Sequence, residues 1–161
     1  MQSVMEHKFS EVPQASIPRS SFDRSHAHKT AFDASDLVPI LVDEVLPGDT
    51  YNVSTHHLVR AASPLVNPLM DNLVLEQFYF FVPYRLIWTN WEKMHGAQDN
   101  PADSIDFTTP KISGPTYDMT GTDRTTLLYD YMGIPRLNPI QTADFSVLPM
   151  RAYNLIYNEW F

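Results

Sequence analysis

A chain of 161 residues, 43% hydrophobic and 12% aromatic, carries enough apolar material for the core of one domain of ordinary size. Its net charge of −8 and pI near 5.0 give no overall field that would draw it to nucleic acid or to an anionic membrane. The absence of cysteine excludes a disulfide framework, thiolate metal sites and cysteine nucleophiles together.

Residues 1–10 are polar and unlike a signal peptide, and no apolar run approaches the roughly 18 residues of a membrane span, so the chain reads as soluble and not secreted. Residues 1–36 carry only scattered apolar side chains (Phe9, Ile17, Phe22, Phe32) with no helical or alternating period, and read as an extended arm. Residues 37–46, LVPILVDEVL, give a strand signal with Pro39 near the start, where a missing N–H matters least. Pro47-Gly48-Asp49 then puts proline and glycine at the two central positions of a type II turn. Residues 51–61 alternate, with Tyr51, Val53, Thr55, His57 and Val59 on one face and Asn52, Ser54, His56, Leu58 and Arg60 on the wetter other.

The strongest signal is the stretch 71–91. Residues 73–82 are nearly all apolar, aromatic or β-branched, with Phe78, Phe80 and Val82 on one face and Leu73, Leu75, Tyr79 and Phe81 on the other, which predicts a strand covered on both sides. Pro83 has no N–H to donate and must end the ladder. Leu86, Ile87, Trp91 and Met94 then share a helical face until Gly96, a helix expected to dock through Trp88 or Trp91.

Such a strand cannot stand alone in water. A second sheet layer, a helical cover or another subunit has to cover it. Residues 96–121, rich in Pro, Asp, Thr and Ser, read as a long excursion. Asp123 can cap a short helix bearing Leu127, Leu128, Tyr131 and Met132, stopped by Gly133 and Pro135. Pro149 opens a last helix with Met150, Tyr153, Tyr157 and Trp160 in one stripe. Its end on Trp160 and Phe161, with no cap, reads as cut rather than finished. Thirteen prolines against five glycines predict shaped, semi-rigid loops.

The side chains suited to chemistry do not converge. His26 and His28 could face one metal, but no third ligand of fixed geometry stands near them, and His56 and His57 point to opposite faces of their strand. Asp43, Glu44, Asp71 and Glu76 are the carboxylates nearest the strands, and turn or strand-end roles suit them better than catalysis. Five scattered glycines leave no dinucleotide or Walker loop, and there is no nucleophile elbow. No catalytic, cofactor or metal site is expected.

Basic and aromatic residues mix only in the arm. Up to Thr30, Lys8, Arg19, Arg24 and Lys29 outnumber Glu6, Glu11 and Asp23 by one charge. Arg19, Phe22, Arg24 and Lys29 are therefore the candidate contacts to single-stranded nucleic acid, or to a neighbouring protein subunit, which is the favoured reading. Trp88, Trp91, Tyr129, Tyr131, Tyr153, Tyr157, Trp160 and Phe161 could form a sugar-stacking platform, but core and subunit interface are the better reading of them.

Several separated motifs, in order, carry a resemblance. They are Ser-Phe-Asp-Arg-Ser-His at 21–26, Val-Leu-Pro-Gly-Asp-Thr at 45–50, Met-Asp-Asn at 70–72, Phe-Phe-Val-Pro at 80–83 and Trp-x-x-Trp at 88–91, with YNLIYNEWF at 153–161. In these the chain resembles the N-terminal part of the major capsid protein of the Microviridae, the gokushovirus branch in particular, with residues 96–148 similar to the variable insertion of that family.

The resemblance implies a mainly β fold, a viral jelly roll of two antiparallel sheets with a long loop insertion carrying short helices. Residues 1–161 would be a single incomplete jelly-roll domain, with the arm at 1–36, the first barrel strands at 37–84, and helices and insertion loop at 85–161. Family members are several times longer, so a truncation is implied as well.

The implied function is a structural subunit, not an enzyme. Copies of it would assemble a T=1 icosahedral shell around circular single-stranded DNA, with other virion proteins as partners and no membrane. It would act in the virion, and in the host cytoplasm during assembly. The alternative from another class is a carbohydrate-binding jelly-roll module using exposed aromatics.

Overall fold

The structure is a computed structural model that describes residues 16–62, 65–103, 107–113, 125–134 and 144–161. Its regular elements are α1 (Tyr84–Ile87), α2 (Trp91–Met94), β1 (Lys111–Ser113), α3 (Thr125–Tyr131), β2 (Asp144–Ser146) and α4 (Leu148–Trp160).

The arm from residue 16 and the stretches 37–46, 51–61 and 73–82 carry no helix or strand. The last three run without a turn or bend, and the chain folds back at 47–48 between the first and the second of them. The expectation of three paired strands is met only in part: the stretches are unbent, but among the described residues no backbone ladder joins them. A strand is completed by hydrogen bonds to a neighbour, and these three reach one another through side chains instead.

The turn between the first two stretches forms as its residues dictate. The Asp49 N–H donates to the Leu46 carbonyl at 3.1 Å, and Gly48 sits at φ 86, the left-handed conformation that the second central position of a type II turn requires. Asp49 also accepts the Leu46 N–H on its carboxylate, at 3.2 Å.

After Pro83 the chain becomes helical, as the proline signal predicts, but the expected single helix is two. Trp88 closes α1 with an extended backbone (φ −146, ψ 110), and Asn90 at φ −87, ψ 2 starts α2. Thr89 and Asn90 are poor helix formers, and the break turns the Trp88 side chain inward, where it is buried.

Both glycine stops behave as predicted. Behind α2, Gly96 (φ 95) donates to Lys93 at 3.0 Å while Ala97 donates to Glu92 at 3.0 Å. Behind α3, Gly133 (φ 79) donates to Asp130 at 3.0 Å while Ile134 donates to Tyr129 at 2.9 Å. Each is a Schellman pair that satisfies two helix-end carbonyls. The expected cap Asp123 and the stop Pro135 lie outside the described residues.

The excursion holds an element the periodicity does not reveal. β1 pairs antiparallel with β2, Ile112 opposite Phe145, and the Val147 N–H extends the link to the Pro110 carbonyl at 3.1 Å. This ribbon delivers the chain into α4, which Pro149 opens in its first turn. α4 packs on α1, and Arg151 of α4 donates to the Ile87 carbonyl at 3.1 Å, satisfying a helix end that has no glycine stop. Trp88, Leu148 and Met150, on or beside these two helices, are the buried apolar residues among those described.

Candidate assembly interface

The stretch 73–82 remains largely uncovered on both faces. Leu73, Val74 and Phe81 are 64%, 81% and 74% exposed. The Phe78 and Phe80 face meets the end of α4: Phe161 lies edge-on to Phe78 at 5.5 Å between ring centroids, and Trp160 lies 5.7 Å from Phe80. The opposite face carries a polar cluster. Thr55 and Tyr79 share a hydrogen bond at 2.8 Å, Gln77 donates to the Tyr79 hydroxyl at 2.8 Å, and the Gln77 carbonyl oxygen accepts from Thr55 at 3.2 Å and meets the His57 ring.

Cover from within the chain is therefore partial. Large apolar side chains left open side by side, as Leu73, Val74 and Phe81 are, are the common mark of an interaction surface.

The candidate arm residues fall into two groups. Arg19 donates to the Gly48 carbonyl at 2.6 Å, and Arg24 pairs with Asp43 at 2.9 Å, so both guanidinium groups engage the region of the first turn. Phe22 is 80% exposed, and Lys29 is exposed as well. Local bonds set the direction of Arg24. Asp23 accepts from the Ser25 hydroxyl at 2.5 Å and the Ser25 N–H at 2.9 Å, which hold its carboxyl below the usual carboxylate range, the hydroxyl more than the amide. The His26 Nδ1 bonds the Arg24 carbonyl at 2.9 Å.

Three of the four candidate carboxylates have structural partners. Asp43 pairs with Arg24, Glu44 bonds the Tyr84 hydroxyl, and Asp71 accepts the following Asn72 N–H at 2.7 Å. Among the described residues no three His, Asp or Glu side chains are grouped to hold a metal, and no helix is long and apolar enough to cross a membrane.

Several aromatics of the supposed sugar platform pack on neighbouring rings. Trp91 lies 4.6 Å from Tyr84 and 4.3 Å from His95, Trp88 is buried, and Tyr153 stacks near Tyr157. Nothing in that arrangement favours a sugar.

Three features escape the sequence reading because their acceptors are backbone atoms or distant side chains. Tyr131 of α3 donates to the Ala31 carbonyl at 2.9 Å, and Tyr153 of α4 donates to the Leu37 carbonyl at 2.9 Å. Burial, then the Tyr157 and Asp36 side chains, raise the Tyr153 phenol above its ordinary range, which keeps it a donor. Tyr84 is the third: burial first, then the bond to Glu44 and its charge, push its phenol up to about 12.

The capsid protein (F protein) family matches residues 10–161. Capsid protein VP1 of Bdellovibrio phage phiMH2K is 46% identical over 156 residues, 97% of this chain and 28% of that protein. Capsid protein VP1 of Chlamydia phage 1 is 46% identical over 165 residues, 99% of this chain and 26% of that protein. Capsid protein VP1 of Spiroplasma virus 4 is 32% identical over 157 residues, 96% of this chain and 27% of that protein. The chain thus spans roughly a quarter of the length of these relatives, each of which is named a capsid protein. The motif resemblance and the match across nearly the whole sequence agree: the chain belongs to the capsid protein (F protein) family.

Proposed function

We propose that this chain is part of a structural subunit that self-associates into a small icosahedral viral shell, acting in the virion and assembling in the host cytoplasm. The observation that carries the reading is the stretch 73–82, whose large apolar side chains stay exposed on both faces in a chain of a capsid family. In a jelly roll these faces lie between sheets or beneath loops, and the stretches 37–46, 51–61 and 73–82 gain ladder partners from sequence elsewhere in the subunit. Residues 1–161 then form one incomplete jelly-roll domain, with arm, first strands and helix-bearing insertion in that order.

Packaged single-stranded DNA and other virion proteins are the further proposed partners. The arm supplies Arg19, Phe22, Arg24 and Lys29 for backbone neutralisation and stacking. Their support is composition and the exposure of Phe22 and Lys29.

The test is expression of the complete reading frame that carries this sequence, followed by velocity sedimentation and electron microscopy of the product. Wild type should give closed particles and Phe81→Asp none, since a carboxylate cannot be buried unpaired at that face. Wild-type-like particles from Phe81→Asp would overturn the buried-face reading. Replacing Arg19, Arg24 and Lys29 together by Gln should lower the nuclease-protected DNA per particle. Unchanged DNA would remove the arm contact and leave the shell standing.

A further inference from the structure

Residues 16–38 run along the rest of the molecule and are held at two places by different chemistry. At the front, Arg19 reaches the Gly48 carbonyl at 2.6 Å and Arg24 the Asp43 carboxylate at 2.9 Å. At the rear, the Tyr131 and Tyr153 hydroxyls donate to the Ala31 and Leu37 carbonyls, each at 2.9 Å. Between those two rear contacts the chain turns at residues 33–36, with Ser35 at φ 71. There it walls a cleft of about 230 Å³ whose far side includes Leu128, Tyr131, Tyr153 and Tyr157.

We propose that this segment is a strap with two independent buckles: an ionic front buckle on the first turn, which salt opens, and a neutral rear buckle, which closes only on folded α3 and α4. The front depends on charge. The Arg24 and Asp43 side chains are 62% and 25% exposed, and an ion pair this wet is weak and screened, the Debye length shrinking to about 3 Å in molar salt.

The two rear hydrogen bonds join uncharged hydroxyl and carbonyl groups, so salt screens them far less than the front ion pair. Their donors stand 100 and 116 positions along the chain from their acceptors, so the rear buckle cannot form before both helices are in place. Because the acceptors are backbone carbonyls, the rear buckle fixes the path of the strap whatever side chains it carries. The front can therefore lift while residues 31–38 stay docked.

Limited proteolysis of the full-length protein separates the two buckles. Chymotrypsin cuts after Phe22 in the front half and after Phe32 in the rear; trypsin adds a front cut after Arg24. Rates are normalised to a short peptide substrate at the same salt. Molar salt, and Asp43→Asn at low salt, should each speed the cuts after Phe22 and Arg24 several-fold and leave the cut after Phe32 unchanged.

Tyr131→Phe combined with Tyr153→Phe keeps both rings and removes only the hydroxyls. It should speed the cut after Phe32 several-fold and leave the front cuts unchanged. If both regions respond together to either change, or neither responds, the two-buckle strap is wrong.

Discussion

The hydroxyls of Thr55 and Tyr79 lie 2.8 Å apart, joining two straight stretches that share no backbone hydrogen bond among the described residues. Gln77 stands at the centre of the same cluster, donating to Tyr79 and accepting from Thr55 beside the His57 ring. Alternation along both stretches makes the cluster available, since Thr55 and His57 share a face of one and Gln77 and Tyr79 a face of the other. Each such bond contributes about 0.5–1.5 kcal/mol net, and exposure puts these near the lower end. Gln77→Ala should therefore destabilise the full-length protein by about 1–2 kcal/mol in urea, and Tyr79→Phe by less. An unchanged midpoint for Gln77→Ala would show that the cluster holds nothing together.

Gly48 predicts a backbone effect free of crowding. At φ 86, a Cβ there would meet only the Arg19 Nη2 at 3.7 Å, an ordinary contact. The whole penalty of Gly48→Ala is then that of a left-handed non-glycine residue, about 1–2 kcal/mol, with Gly48→Asn milder because asparagine tolerates that region. Thermal or urea denaturation of the pair checks the order. Equal losses would mean that contacts, and not φ, decide the site.

Tyr84 gives an alkaline signature. Burial and Glu44 push its phenol up to about 12, from an unfolded value near 10. Between those values the unfolded chain ionises this group and the folded one does not. Its contribution is thus fully present below about pH 10 and is lost as pH rises toward about 12. Absorbance titration of phenolate should show a group titrating at about pH 12 that Tyr84→Phe deletes and Tyr153→Phe leaves in place. Glu44→Gln should move it earlier by removing the charge and weakening the hydrogen bond, with burial still holding it above the ordinary range. A wild-type titration that Tyr84→Phe does not alter would refute the assignment.

Local chemistry made much of this legible. The left-handed glycines at 48, 96 and 133 and the helix opened by Pro149 follow from backbone rules that act over a few residues. The doubly apolar character of 73–82 was equally plain, but its pairing was not, because period tells which face is apolar and not which strand lies alongside. β1 and β2 are three residues each, too short for alternation to register. The break at Trp88 was hidden because Leu86, Ile87, Trp91 and Met94 fit one helical face whether or not the chain is interrupted between them. Of the arm residues, the sequence marked Arg19 and Arg24 for their charge; their partners, the Gly48 carbonyl and Asp43, became visible only with the chain folded.

That break places the last prediction. Trp88 is 7% exposed whereas Trp160 is 71% exposed, and Trp88 sits edge-on to Trp91 at 6.1 Å between ring centroids, next to the junction where α1 meets α4. Truncating a buried Trp to Ala costs about 3–5 kcal/mol. The half-buried Trp91 beside it can move into part of the vacated space, which puts Trp88→Ala near about 3 kcal/mol. Trp88→Phe keeps most of the apolar volume and should lose about half of that or less. The wild-type minus Trp88→Phe fluorescence difference should be blue-shifted, as for an indole out of water, and the corresponding Trp160→Phe difference red-shifted. A red-shifted Trp88 difference, or a loss under about 1 kcal/mol for Trp88→Ala, would mean that this indole does not anchor the helix break.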